Sequence, residues 1–117
     1  MPEEYLALVA DLKALTQGGE TLPVAEDDWA TRPDSNSYGI IALEFEADAL
    51  NGENRKVETA WEGSVDLYSY DKRGGGWIEK IKGALNDHCE STWWLNHHAY
   101  ERESGLYHWE WAFQLEG

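Results

Sequence analysis

The segment Leu106-Tyr-His-Trp-Glu-Trp-Ala-Phe-Gln-Leu115 alternates Tyr107, Trp109, Trp111, Phe113 and Leu115 with His108, Glu110, Ala112 and Gln114. Successive side chains of a strand point to opposite faces, so this period of two predicts a strand with one apolar, largely aromatic face. Such a face is stable only under a second layer, so the chain must place this strand in a sheet and pack helices or another sheet on it.

The remaining pattern supplies that layer. Tyr5, Leu8, Val9, Leu12 and Leu15 recur at helical spacing, Pro2 with Glu3-Glu4 suits a first turn, and Gly18-Gly19 suits an end, which predicts a helix over 3–17. Residues 18–37, with Pro23, Pro33, Glu26-Asp27-Asp28 and Asp34-Ser-Asn-Ser37, show no sustained period and read as a long acidic loop or arm; Trp29 in it either anchors a partner or packs back on the core. Residues 38–47 alternate Ile41, Leu43, Phe45 and Ala47 with Ala42, Glu44 and Glu46, and residues 58–70 alternate Trp61, Gly63, Val65 and Leu67 with Glu62, Ser64, Asp66 and Tyr68. Joined through Asn51-Gly52, the two form a hairpin. Trp77, Ile78, Ile81, Ala84 and Leu85 return to helical spacing over 75–88, and residues 92–100 pair with 106–115 across Ser104-Gly105. On the first of these strands Trp93, Leu95, His97 and Ala99 are expected on one face and Trp94, Asn96, His98 and Tyr100 on the other. The fold class that follows is α+β: one mainly antiparallel four-stranded sheet with two helices packed on one face, in the order α-β-β-α-β-β, as a single domain over 1–117.

Charge narrows the function. The 117 residues carry 23 acids against 9 Lys plus Arg, a net charge of -14. A polyanion is repelled by such a surface, so nucleic-acid binding through a basic patch is excluded as the leading reading, whereas a surface past which DNA slides without adhering is well served. Cys89 is the only cysteine, which rules out an intrachain disulfide. There is no secretory apolar stretch after Met1 and no run of about 18 apolar residues, so cytoplasmic synthesis without membrane insertion is expected.

No motif carries recognisable chemistry. Gly74-Gly75-Gly76 leads into Trp77-Ile78, where a phosphate loop needs Lys and Ser or Thr, and its spacing fits no dinucleotide fingerprint; the glycines read as the corner between a strand and a helix. His88, Cys89, His97 and His98 are potential zinc ligands, yet adjacent strand residues such as His97 and His98 point to opposite faces and cannot share an ion. A Gly-x-Ser-x-Gly elbow is absent, and no carboxylate pair is singled out. Catalytic residues, cofactor and metal are each expected to be none.

The pattern as a whole is more informative. Glu62-Gly-Ser-Val-Asp-Leu-Tyr-Ser69, a short glycine loop, a helix ending in Ala84-Leu85, Trp94-Leu-Asn-x-x-x-Tyr-Glu101 and Glu103-Ser-Gly-Leu-Tyr-His-Trp-Glu-Trp-Ala-Phe113 resemble the tail terminator and tail-to-head joining proteins of the neck of long-tailed bacteriophages. The resemblance spans 38–116. It implies a non-enzymatic virion protein, made in the bacterial host cytoplasm from a phage or prophage gene. Such a protein forms a ring, commonly a hexamer, at the head-proximal end of the tail tube, where it terminates tail polymerisation and meets the tail-tube protein and the head connector.

Combined with the charge, this reading makes the isolated chain a monomer that rings on assembly, with DNA passing through without specific binding. Candidate contact residues are Trp29 in the arm, Asn51, Arg55 and Lys56 at the hairpin tip, and Lys72 and Arg73 in the glycine loop. Candidate channel-facing acids are Glu26, Asp27, Asp28, Asp48, Glu53 and Asp71. A head-closure or connector-adaptor protein and an acidic DNA-mimic binding protein are the alternatives.

Overall fold

The computed structural model describes residues 2–50 and 56–116, with side chains for all of these except 45–50 and 56–59. Helix α1 spans Glu3–Lys13, followed by three short strands, β1 (Thr16–Gln17), β2 (Glu20–Thr21) and β3 (Val24–Glu26). Two long strands come next, β4 (Ser37–Leu50) and β5 (Lys56–Ser69). A single 3₁₀ turn (Gly74–Gly76) leads into α2 (Trp77–Cys89), and β6 (Trp93–Glu101) and β7 (Leu106–Glu116) close the chain.

The class is α+β and the sheet is mainly antiparallel, but it has five strands in the order β3-β4-β5-β7-β6, and β1 and β2 form a separate two-stranded sheet. The expected four-stranded layout is corrected at the N-terminal third. Helix α1 stops short of residue 17 because Gly18 and Gly19 adopt φ of +57° and +83°, the turn that lets Thr16–Gln17 fold back on Glu20–Thr21. The following residues are not a free arm. Leu22 is 1% exposed, its N–H bonds Leu15 O at 3.0 Å, and β3 joins β4 in parallel over Val24↔Gly39 to Glu26↔Ile41. A parallel partner requires the chain to travel back before it can start β4, and residues 27–36 make that return.

Both helices cover one face. Reading across β4, β5 and β7, the rows Gly39–Leu67–Trp109, Ile41–Val65–Trp111 and Leu43–Gly63–Phe113 stand under α1 residues Tyr5, Leu8, Val9 and Leu12 and α2 residues Trp77, Ile81, Ala84 and Leu85. Trp111 and Phe113 are 1% and 0% exposed, and burying a large apolar side chain to this degree contributes about 1.5–3 kcal/mol. Gly63 makes the row through Phe113 possible: a Cβ there would lie 2.4 Å from Ala42 O and 2.5 Å from Phe113 Cζ.

Two bulges modify the expected alternation. At Glu44 the register moves by one residue, so that Leu43 stands opposite Gly63 but Phe45 stands opposite Glu62. In β6 the extra residue is Asn96; Leu95 pairs with Trp111, while His97 pairs with Glu110 and His98 with Trp109. The helix side of β6 therefore carries Trp93, Leu95, His98 and Tyr100, and the simple alternation through His97 and Ala99 is overturned.

The opposite face carries a stacked row. Tyr38 lies on Tyr68 at 5.1 Å and Tyr68 on His108 at 4.2 Å between ring centroids. Among the described residues β5 pairs with β7 only from Ala60 onward, while its residues 56–59 pair with β4. The longest dimension is 48 Å, and the radius of gyration, 15.1 Å, exceeds the about 13 Å of a compact chain of this length.

Gly63→Ala is expected to lower the unfolding free energy by about 1–3 kcal/mol in urea titration, because backbone and aromatic ring must both move. Leu22→Ala is expected to cost about 2–5 kcal/mol. A change near zero for Leu22→Ala would mean that the segment is not part of the folded core.

Candidate functional site

The residues singled out from the sequence fall into three places. Trp29 packs back on its own sheet: its Nε1 donates to Gly39 O at 3.1 Å and its ring meets Tyr38 edge-on at 6.4 Å. Of the two outcomes the sequence left open, these contacts correspond to packing back on the core. Glu26, Asp27 and Asp28 form an exposed corner where β3 ends; Glu26 pairs with Lys13 at 3.3 Å, Asp27 takes φ of +67°, and Asp28 Oδ1 accepts the Trp29 N–H at 2.7 Å.

The second place is the turn between β5 and α2. Asp71 Oδ1 accepts the Arg73 N–H at 2.8 Å, Asp71 O accepts the Gly74 N–H at 2.9 Å, and Asp71 N–H donates to Ser69 Oγ at 3.0 Å. These bonds make a tight loop on which Asp71, Lys72 and Arg73 are all exposed. Gly74, Gly75 and Gly76 have φ of +77°, +65° and +86°, a left-handed run that only glycine enters without strain. Gly75 O is tied to Gln17 Nε2 at 2.7 Å, so the three glycines are the corner that sets α2 on the sheet. The third place is the hairpin tip. Asn51, Glu53 and Arg55 lie outside the described residues, and Asp48 and Lys56 are within β4 and β5, with side chains outside the description.

Two histidine clusters were not legible beforehand. His88 on α2 lies between two carboxylates of α1, with Nδ1 on Glu4 Oε2 and Nε2 on Asp11 Oδ2, the latter at 2.5 Å. Glu4 and Asp11 are two turns apart on one face of α1, so a single imidazole clasps the helices together. Burial by itself lowers the His88 pKa, but the bonds to Glu4 and Asp11 outweigh it and hold the value above the ordinary one. On the other face of the sheet His108 Nε2 meets Asp66 Oδ1 at 2.6 Å and Nδ1 meets Glu101 Oε2 at 3.2 Å. Burial raises the Asp66 carboxyl, while His108 draws it partly back. Burial also acts to lower His108, yet its bond to Asp66 and the charges of Asp66 and Glu101 leave it raised. The spacing Asp66, Glu101, His108 holds no sequence signal, because cross-strand register alone brings these residues together.

The two His88 carboxylates occupy different ring nitrogens and so do not converge with the imidazole on one point. His97 lies edge-on to His108 at 5.3 Å, and His98 stacks on Trp109 at 4.7 Å on the opposite face. Cys89 is buried, and burial with the nearby charge of Glu4 pushes its thiol up to about 12, far from a reactive thiolate. Among the described residues no group of three His, Cys, Asp or Glu is arranged to hold a metal ion, and no helix is long and apolar enough to cross a membrane. Two clefts, of about 440 and 500 Å³, lie beside His88 and Thr92 and beside Gln17 and Trp77. What the geometry offers most clearly is edges and a projecting hairpin. Neither a family model nor a curated protein matches the chain.

The raised histidines set a pH dependence. A cation favoured in the folded state contributes its full stabilisation below the unfolded value of about 6.5 and loses it as pH rises through the folded value. The melting temperature is therefore expected to fall between about pH 6 and pH 8, in the range where histidine titrates. In His88→Gln the fall should be shallower and the value at the acidic end lower; an unchanged slope would remove His88 from the account.

Proposed function

We propose that this chain is a structural protein of the tail-completion type from a long-tailed phage or prophage, one that forms a ring at the head-proximal end of the tail tube. It ends tube polymerisation there and joins tail to head, with the tail-tube protein and the head connector as its partners. The observation that carries this reading is the β4–β5 hairpin. Among the described residues its outer end pairs with no strand on the β7 side, which makes it an element suited to contact with another molecule. A ring needs heterologous contacts, two different patches on each subunit related by a rotation that closes. The projecting hairpin and the exposed turn Asp71–Arg73 supply elements of that kind.

The charge fits the same role. With a net charge of -14, free subunits repel one another until packing outweighs the repulsion, so the isolated protein is a monomer at low salt. In the assembled ring, six copies commonly, the exposed Glu26, Asp27, Asp28 and Asp71 face the channel, and DNA passes without adhering. Lys72 and Arg73 meet a neighbouring subunit's carboxylates.

Sedimentation velocity should show a monomer at about 0.01 M salt, where the Debye length is about 30 Å, and a larger species at about 0.3 M and high protein concentration. Negative-stain images of that species should show closed rings with a central hole. A chain that remains monomeric at every salt concentration, including on mixing with tail-tube protein, would overturn the reading, as would rings with these acids on the outer rim.

A further inference from the structure

Among the described residues two edge stretches of the five-stranded sheet have no strand beside them. β6 is the last strand on one side over all of its nine residues. On the other side β3 covers only Gly39–Ile41 of β4, which leaves 42–50 open among the described residues, a stretch as long as β6. An open edge presents a row of unpaired N–H and C=O groups, and sheets that stay single protect it with Lys, Pro, charged side chains or very short strands. β6 has its bulge at Asn96 but no Lys or Pro, and it exposes Trp94, Leu95 and Tyr100 by 44, 53 and 51%.

We propose that β6 of one copy pairs antiparallel with residues 42–50 of β4 in the next copy, so that the sheet continues from subunit to subunit. As the closing contact of the ring this rests on the function proposed above.

Three observations select a second copy as the occupant. The first is polarity: β4 and β7 run one way and β5 and β6 the other. Copies related by a rotation about an axis along the strands keep that sense, so β6 arrives at the next β4 antiparallel without any reorientation. The second is charge. The open part of β4 contains Glu44, Glu46 and Asp48, so two such edges repel, as would most acidic partners. β6 carries no Asp or Glu before Glu101, and Glu101 is already held by His108 at 3.2 Å. It is a neutral edge against which an acidic one can lie.

The third is the match of faces and length. Ala42 shares a row with Ser64 and Ala99 a row with His108, both on the face away from the helices, so the joined sheet keeps one helix side and one open side. Pairing β6 with a second β6 would also avoid repulsion, but it makes a two-fold dimer and leaves the β4 edge uncovered.

The test is disulfide trapping in the full chain. Ala99→Cys is combined with Ala42→Cys in one variant and with Glu44→Cys in another, which brackets two registers on the same face. Buried Cys89 is left in place, and folding is checked by circular dichroism. Under mild oxidation at about 0.3 M salt, a screening ionic strength, one of the two should give a ladder of multimers on gels run without reductant that collapses to monomer when reductant is added, whereas Ala99→Cys alone gives dimers at most. Adding Leu95→Glu, at an exposed position, should cut the ladder at least about tenfold by placing an acid against the acidic edge.

If neither pair gives a ladder, or if Ala99→Cys alone traps dimers as efficiently as the pairs trap anything, the proposal is overturned. Rings in negative stain without a ladder would sink the edge pairing and leave the ring reading standing. A ladder from open filaments without rings would support the edge pairing and sink the ring reading.

Discussion

The pairing of β5 with β7 is the contact on which the rest of the molecule depends. Each hairpin, β4–β5 and β6–β7, joins strands that are neighbours in sequence, and a two-stranded hairpin is marginal by itself. Joined along Ala60–Ser69, the two become one surface wide enough for both helices, with Ile41, Val65 and Trp111 in one row and Leu43, Gly63 and Phe113 in the next. Gly63 is the tightest point of that union, because only the absence of a side chain lets the Phe113 ring reach the backbone of β5. The same junction assembles the polar face, where Asp66 and Gln114 find His108 and Glu62 across strands more than forty residues apart in sequence.

Electrostatics shape how the helices and strands are tied. With 9 Lys plus Arg against 23 acids, the chain is short of permanent cations, and imidazoles take their place at partly buried positions. His88 and His108 each receive two carboxylates, one on each ring nitrogen. An imidazole can be half buried at a cost that an ammonium would not tolerate, and two carboxylates offset that cost by favouring its charged form. Helix α1 is held to α2 by apolar packing and by the His88 clasp together, as β5, β6 and β7 are tied by His108 with Asp66 and Glu101.

The proposed assembly follows from an uneven distribution of charge. The body and the β4 edge are acidic, and the β6 edge is neutral and partly apolar. A molecule built this way repels copies of itself in most orientations and tolerates them in one, which is the physical requirement for a subunit that stays single until it is placed. The glycine corner at Gly74–Gly76 contributes indirectly, by turning the chain sharply enough that α2 lies back on the sheet and the Lys72–Arg73 turn stays at the surface.

By itself the sequence determined the local elements: the two helical stretches, the four long strands, the glycine corner and the identity of the aromatic core, because each is written in a period of two or of 3.6 residues or in turn chemistry that neighbours in sequence enforce. The tertiary structure decided what no local period contains. Leu22 looked like part of an arm because a three-residue strand is too short to show alternation, and only its parallel pairing with β4 makes it core. The bulge at Glu44 shifts the register of β4 on β5, and the bulge at Asn96 reverses the facing of His97–Tyr100, which a two-residue rhythm read along one strand cannot register. Trp29, free in sequence to reach a partner, is claimed by Gly39 O and Tyr38, and the clusters around His88 and His108 join residues from separate elements. Open edges belong to the same class: an edge is a property of strand order, so the surface that carries the proposed function exists only once the whole sheet has formed.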